Sequence, residues 1–182
     1  MDNDQTSFLF DKVIIRKVQS TDLIDLEWNG EYIHYRRLFA QAFEETKKGT
    51  AVLWMAEYKS FGLIGQLFVQ LNSTNPSIAD GRKRAYIHGV RVKPMYRNYG
   101  IGTMLMDTAE KDLSNRGFSE VTLNVVKTNR DALRWYKRLG YIIIGSDPGE
   151  WSYIDHLGVL RHVKEPAWKM IKLLSYPPNV IK

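Results

Sequence analysis

The sequence predicts an α/β protein, of the α+β kind, that folds as a single domain. Strand-like apolar runs alternate with amphipathic helical patterns, and the 182 residues suffice for one packed core. No repeat, low-complexity segment or linker divides the chain. We therefore expect residues 1–182 to form one domain, with residues 1–10 and 176–182 loosely ordered.

The first part of the chain predicts a strand, two helices and a pair of strands. Residues 13–18 are a short apolar run suited to a strand, and Ser20 is placed to cap a helix after it. A second helical pattern covers residues 31–48. The apolar runs 52–58 and 61–71 are typical of a β-hairpin.

The central stretch predicts a strand that enters a helix through a glycine loop. Residues 85–92 form the strand, Arg-Asn-Tyr-Gly-Ile-Gly at 97–102 forms the loop, and residues 103–113 continue as a helix. Apolar residues recur every four positions on that helix, at Ile101, Leu105, Ala109 and Leu113. Such a loop brings several free backbone N–H groups to a helix N-terminus, which is a physical solution for binding phosphate.

The remaining chain predicts two strands around a helix and then a closing strand. Residues 120–126 and 141–145 are strand-like, and the helix between them covers residues 130–139, with Asn129 placed as its N-cap. The closing strand falls within residues 165–174. The segment 147–165 is left open between short strands and a substrate loop.

Two stretches resemble the signatures of the GNAT superfamily of N-acetyltransferases. Arg-x-x-Gly-x-Gly at 97–102 is similar to the acyl-CoA-binding motif of that family, and Asn-x-x-Ala-x-x-x-Tyr-x-x-x-Gly-Tyr at 129–141 is similar to its second signature. The resemblance covers at least residues 52–145. It implies the acyl-CoA N-acyltransferase fold: a mixed, mostly antiparallel sheet of six to seven strands with about four helices, splayed between strands four and five.

The resemblance also implies acetyl-CoA as cosubstrate and assigns the residues that bind it. The backbones of one strand segment would hold pantetheine and the thioester, namely Val90, Arg91 and Val92. The loop and helix start would take the pyrophosphate, through Arg97, Asn98, Tyr99, Gly100, Ile101, Gly102 and Thr103. Three residues of the second signature would lie along pantetheine and sulfur, namely Asn129, Ala132 and Tyr136.

Tyr136 is the candidate general acid. A phenol with a pKa near ~10 stays protonated at neutral pH and can protonate a departing thiolate; the alternative is a plain core aromatic of its helix. The base is open, because Tyr86 stands where some relatives carry a glutamate. His88 shares its strand face and is the candidate base, against a structural or substrate-contacting role; an ordered-water relay is equally allowed, and Asp155 and His156 are weaker candidates.

The function that the resemblance implies is transfer of an acetyl group from acetyl-CoA to a primary amine by direct attack in a ternary complex. The acceptor is a small molecule or a peptide of open identity. The alternative is a catalytically silent acyl-CoA-binding module. A homodimer is compatible with the family, in which many members pair through sheet edges or the C-terminal region.

Composition and charge limit which other partners, such as a metal, a nucleic acid or a membrane, are expected. The chain has no cysteine, and its histidines lack metal-ligand spacing, so we expect no metal. The net charge of +6 suggests an anionic partner, but the basic residues are scattered without a nucleic-acid signature. No apolar run approaches a membrane span, and the N-terminus is polar and acidic, so the expectation is a cytoplasmic protein without membrane or nucleic-acid partners.

Overall fold

The structure is a computed structural model that describes residues 12–59 and 61–175. The strands in this part of the chain are β1 Val13–Lys17, β2 Ala51–Tyr58, β3 Gly62–Gln70, β4 Arg84–Val92, β5 Glu120–Val126, β6 Ile142–Asp147, β7 Glu150–Ile154, β8 Leu160–Lys164 and β9 Ala167–Leu173. The α-helices are α1 Arg36–Lys47, α2 Ile101–Asn115 and α3 Arg130–Arg138. The loosely ordered ends that the sequence predicts lie outside the described residues.

Seven strands form one sheet in the order β1-β2-β3-β4-β5-β9-β6. Neighbouring strands are antiparallel, except that β4 and β5 are parallel. The predicted fold class is therefore confirmed. β7 and β8 form a separate two-stranded hairpin between β6 and β9, in the segment that the sequence left open.

Apolar packing on both faces of the sheet builds the core. The predicted stripe of α2 is fully buried against one face, together with Ile87 and Leu123. α1 and the turns before it cover the other face, where Phe39 and Phe68 pack edge to face at 5.9 Å. Both faces are thus covered over the middle of the sheet, where β2 and β3 are buried between the two layers and β4 is largely half-buried.

The first predicted helix takes the form of two short 3-10 helices, at Ser20–Asp22 and Asp25–Glu27. The Arg16 guanidinium donates to both carboxylate oxygens of Asp22, at 2.7 and 2.9 Å, and this carboxylate also accepts from a backbone N–H at 2.7 Å. Trp28 follows with a φ of 49°, a left-handed conformation that ends the helical path. An ion pair to β1 therefore fixes this segment in place of a regular helix.

β4 separates from β5 halfway along its length. The two strands pair only where Arg84–Ile87 lies opposite Glu120–Leu123, whereas β4 continues to Val92 beside β3. This is the splay that the family resemblance implies. Beyond it, the β4 backbone groups that face β5 have no strand partner, and a groove opens between the two strands.

A β-bulge on β4 decides which side chains face this opening. Gly89 has a φ of 62°, and the register against β3 shifts between His88 and Arg91. Val90 consequently packs toward α2, while His88 and Arg91 both lie on the α1 face, against Phe68 and Tyr32 respectively. Without the extra residue, Val90 would share the face of His88.

The β7–β8 hairpin packs on the residues just before α1. Tyr35 lies 5.1 Å from Tyr153 and 6.3 Å from Trp151, measured between ring centroids. At the base of the hairpin, the Glu165 N–H donates to the Gly149 carbonyl at 3.0 Å. A Cβ on Gly149 would overlap the Glu165 carbonyl oxygen, so only glycine allows this close approach.

Substitution of Gly149 tests whether this contact fixes the hairpin. We expect Gly149→Ala to lower the free energy of unfolding by about 3 kcal/mol or more, because backbone strain of ~1–3 kcal/mol adds to a clash with main chain. Gly158→Ala is the matched control: Gly158 has a φ of 85° in the same hairpin, but its nearest neighbour is a flexible arginine side chain at 3.7 Å. Urea titrations measure the free energy of unfolding. Equal losses of this free energy in the two variants would show that the Gly149 contact does not fix the base of the hairpin.

Candidate active site

One long groove begins where β4 and β5 part. It runs from the N-terminus of α2, past the middle of β4, to α1 and the base of the hairpin. Its volume of about 2170 Å³ exceeds the ~300–1,000 Å³ of a pocket for one drug-sized ligand, so it has room for more than one such molecule. All the predicted cofactor residues line it except Tyr99, whose side chain is exposed outside.

The glycine loop forms one end of the groove. Asn98 and Gly100 adopt left-handed conformations, with φ of 65° and 77°, and no side chain caps the N-terminus of α2. The N–H groups of the first helical turn therefore remain available, and the helix dipole favours an anion there. Arg97 braces the loop, because its Nε donates to the Val92 carbonyl at 2.9 Å.

α3 closes the groove beside this loop. The Asn129 side chain accepts a hydrogen bond from the Ala132 N–H at 3.1 Å, so Asn129 is the predicted N-cap. A Cβ on Gly102 would lie 3.0 Å from the Trp135 ring, and Trp135 Nε1 donates to Thr103 Oγ1 at 3.4 Å. The second glycine of the motif thus lets α2 and α3 approach each other closely.

Tyr136 lies on the groove side of α3, with its ring almost fully buried. Burial raises the pKa of Tyr136 above its ordinary value, so the phenol keeps its proton at neutral pH. Within the described residues its hydroxyl donates no hydrogen bond to protein. The hydroxyl of Tyr141, a buried tyrosine nearby, donates to Glu110 at 2.8 Å. Tyr136 therefore presents a free donor to the groove, as a general acid requires.

Tyr86 and His88 lie side by side on β4 in the centre of the groove. Their rings stack at 5.6 Å, on the same strand face as the sequence predicts. Burial, helped by the Asp147 carboxylate, raises the pKa of Tyr86 to about 12. Burial and the Arg91 guanidinium lower the pKa of His88 to about 4. Both side chains are consequently neutral at physiological pH.

Asp147 is a groove carboxylate that the sequence did not reveal. It is close enough to Tyr86 to raise the pKa of that phenol. Its own pKa is lowered, first by a hydrogen bond from the Gly149 N–H at 2.7 Å and further by Lys169, with Nζ 3.4 Å away. Asp147 therefore remains ionised. Its position depends on the pairing of β6 with β9, for which the local sequence carries no signal.

Asp155 and His156, the weaker candidate bases, lie in the turn of the hairpin and are not among the residues that line the groove. Asp155 accepts hydrogen bonds from the N–H groups of Leu157 and Val159, both at 2.9 Å, and from Arg161 at 2.7 Å. This buried carboxylate holds the turn together. The structure therefore gives Asp155 a structural role.

The far end of the groove is aromatic and charged. Tyr35, Trp151 and Glu165 line it, and the Arg91 guanidinium lies over the rings of Tyr32 and Tyr35 at 4.4 and 5.3 Å. The sequence gave no indication of Trp151 or Glu165, because the hairpin next to Tyr35 docks only in the folded chain.

The described ranges contain neither a metal-binding cluster nor a membrane-spanning helix. No group of three or more His, Asp or Glu side chains in residues 12–59 and 61–175 is arranged to hold a metal ion. Over the same ranges, no helix combines the length and the apolar character that a membrane crossing requires.

A mixed sheet that opens between two parallel strands above a glycine loop defines the acyl-CoA N-acyltransferase class of fold. The model of the Acetyltransferase (GNAT) family matches residues 20–141, and the chain belongs to that family. An uncharacterised N-acetyltransferase of Methanocaldococcus jannaschii is 38% identical over 74 residues, which cover 41% of this chain and 33% of that protein. The chain thus spans only about a third of the length of the curated relatives it matches.

Solved structures of the same fold cover nearly the whole chain. The ribosomal-protein-S18-alanine N-acetyltransferase of Escherichia coli superposes with a TM-score of 0.67 at 18% identity, covering 93% of this chain and 99% of its own. A variant of the spermidine N-acetyltransferase of Vibrio cholerae superposes with a TM-score of 0.66 at 16% identity, covering 90% and 95%. At these identities the likeness shows the fold alone.

The pKa of His88 predicts a dependence of stability on pH. Between pH 6.5 and about 4 the unfolded chain binds a proton at this histidine and the folded protein does not. The free energy of unfolding therefore falls as the pH is lowered through this window. In His88→Gln the fall should be smaller by about 1–3 kcal/mol.

Urea titrations at several pH values measure this effect. His162→Gln is the control, because His162 is an exposed histidine on the hairpin, and it should keep the wild-type slope. A wild-type slope in His88→Gln as well would show that His88 is not held neutral by its surroundings.

Proposed function

We propose that the protein transfers an acetyl group from acetyl-CoA to a primary amine by direct attack in a ternary complex. One observation carries this proposal: the opening between β4 and β5 connects the glycine loop with Tyr136 and His88 in a single groove. Family membership supports the same reaction.

The groove fits an acyl-CoA along its length. The uncapped N-terminus of α2 suits the pyrophosphate, because its free N–H groups and dipole favour an anion. β4 has no strand partner on its β5 side beyond Ile87, so Val90 and Val92 can offer backbone groups to pantetheine. This layout would bring the thioester near Tyr136 and His88 at the centre of the groove.

The reaction needs a neutral amine, a polarised thioester carbonyl and a proton for the departing sulfur. The amine nitrogen forms a bond to the carbonyl carbon, the carbon–sulfur bond breaks, and the sulfur takes a proton. We assign that proton to the Tyr136 hydroxyl, which has no acceptor in the described protein and stays protonated.

The amine must lose a proton during the same reaction. His88 is neutral and accepts hydrogen bonds, but its low pKa makes it a weak base. We therefore propose that His88 orients a water that takes the proton, and that the Asp147 carboxylate attracts the incoming ammonium and stabilises the relayed proton. This arrangement takes the place of the glutamate that some relatives carry where this chain has Tyr86.

The acceptor is an amine, whose class the fold does not determine. Two structural neighbours are named for their acceptors, which are an alanine of a ribosomal protein and spermidine. Both are primary amines, which supports a primary amine here. The aromatic end of the groove, with Tyr35, Trp151 and Glu165, is where the acceptor would bind.

Replacement of the Tyr136 hydroxyl tests the general acid. We expect Tyr136→Phe to lower kcat by about 10²- to 10⁴-fold, as is usual for loss of a general acid, with little change in CoA affinity. Tyr141→Phe is the control, since it removes a neighbouring buried hydroxyl bound to Glu110. It should reduce stability by about 1–3 kcal/mol and leave kcat near the wild-type value. Equal kcat values for Tyr136→Phe and Tyr141→Phe would show that another group protonates the departing sulfur.

Calorimetry with CoA and turnover of acetyl-CoA over a broad amine panel test the proposal as a whole. We expect CoA binding together with turnover of at least one amine. Binding without turnover of any amine would favour the silent acyl-CoA-binding module. Absence of CoA binding would contradict both the acetyltransferase and the acyl-CoA-binding module.

A further inference from the structure

The Arg91 guanidinium has an unusual environment. It is partly buried and stacked on Tyr32 and Tyr35, at 4.4 and 5.3 Å from their ring centroids. In residues 12–59 and 61–175, no carboxylate lies within ion-pair distance of it, and none of its N–H groups donates a hydrogen bond. A guanidinium carries five donors, and those of Arg91 are not buried but open to the groove, where a ligand can accept hydrogen bonds from them.

Other partly buried arginines of the sheet have acceptors. Arg16 and Arg84 form ion pairs with Glu57 and Glu120, at 2.5 and 2.8 Å. Arg97, which also lines the groove, donates to a backbone carbonyl. Arg91 therefore differs from its neighbours in having only aromatic rings around it, which fix the plane of the guanidinium and leave its edge free.

The unpaired edge of the Arg91 guanidinium lies on the α1 side of the groove, where the acceptor would bind; we call this the acceptor side. The bulge at Gly89 places Arg91 on the α1 face with Tyr86 and His88, opposite the face that packs toward α2. Arg91 follows His88 by three residues, roughly 10 Å along an extended strand. The carboxylate of Asp147 lies on the other side of this centre, next to Tyr86.

The acceptor side of the groove thus carries an anionic site and a cationic site. Asp147 and Glu165 suit an ammonium group, and Arg91 suits a planar anion that can accept two parallel hydrogen bonds. We propose that the acceptor is an amine that also carries a carboxylate, and that the Arg91 side chain binds this carboxylate. The inference rests on the proposed acetyltransferase function and names the substrate class for it.

Matched pairs of acceptors test this inference. The first set is the ω-amino acids from glycine to 6-aminohexanoate, each compared with its carboxamide. The second set is short C-terminally amidated peptides that begin with Glu or with Gln. We expect kcat/KM to favour the carboxylate member of at least one pair by about 10- to 100-fold, and the set that shows the preference distinguishes a small amino acid from an acidic peptide.

Arg91 variants connect this preference to the side chain. In Arg91→Met the ratio of carboxylate to amide should fall to about one, with the loss in KM for the acceptor, and Arg91→Lys should restore part of the ratio. Arg37→Met removes an exposed arginine from the first turn of α1 and should keep the wild-type ratio. A wild-type enzyme without the preference, a preference that survives in Arg91→Met, or an equal loss of CoA affinity would each overturn the inference.

Equilibrium binding separates this inference from the proposed function. With saturating free CoA no acetyl group can be transferred, so calorimetry reports acceptor binding alone. Tighter binding of the carboxylate member, lost in Arg91→Met, supports the Arg91 site even if turnover fails and the acetyltransferase proposal is wrong. Equal binding of the two members in wild type overturns the Arg91 site even if turnover of other amines succeeds.

Discussion

The parting of two parallel strands is the constraint on which the rest of the structure depends. β4 leaves β5 after Ile87 and continues beside β3. The edge of β4 that faces β5 is therefore unpaired beyond this point, where neighbouring strands of a sheet would normally be hydrogen-bonded. The same strand carries the bulge at Gly89, which determines the face of every later side chain. One strand therefore supplies both the unpaired backbone edge and the side chains that line the centre of the groove.

The helices that flank this opening are held by contacts that glycine makes possible. Gly102 lets the Trp135 ring approach the start of α2, and the indole bonds to Thr103 on the same turn. α3 in turn presents Tyr136 to the groove. The glycine loop and the Tyr136 phenol are thus linked mechanically, because displacement of α3 would disturb both.

Local signals in the sequence predicted the parts of the site that depend on local structure. The glycine loop, the Asn129 cap and the shared face of Tyr86 and His88 follow from spacing within single elements. Asp147 and Trp151 could not be predicted, since β6 pairs with β9 and the hairpin docks on Tyr35 across more than a hundred residues of chain. The first helix is replaced by 3-10 turns because its Asp22 is bound by Arg16 of β1, a contact between two elements that helical spacing alone does not predict.

The charges in the groove are arranged around a neutral centre. Burial keeps Tyr86, His88 and Tyr136 uncharged, while Arg91 and Asp147 lie at the margins. The same burial keeps the Tyr136 phenol protonated. Under the proposed function, charge at the margins would orient an acceptor before it reaches that centre. Arg91 would then select the acceptor without taking part in bond making, so the acceptor class could change while the central residues remain the same.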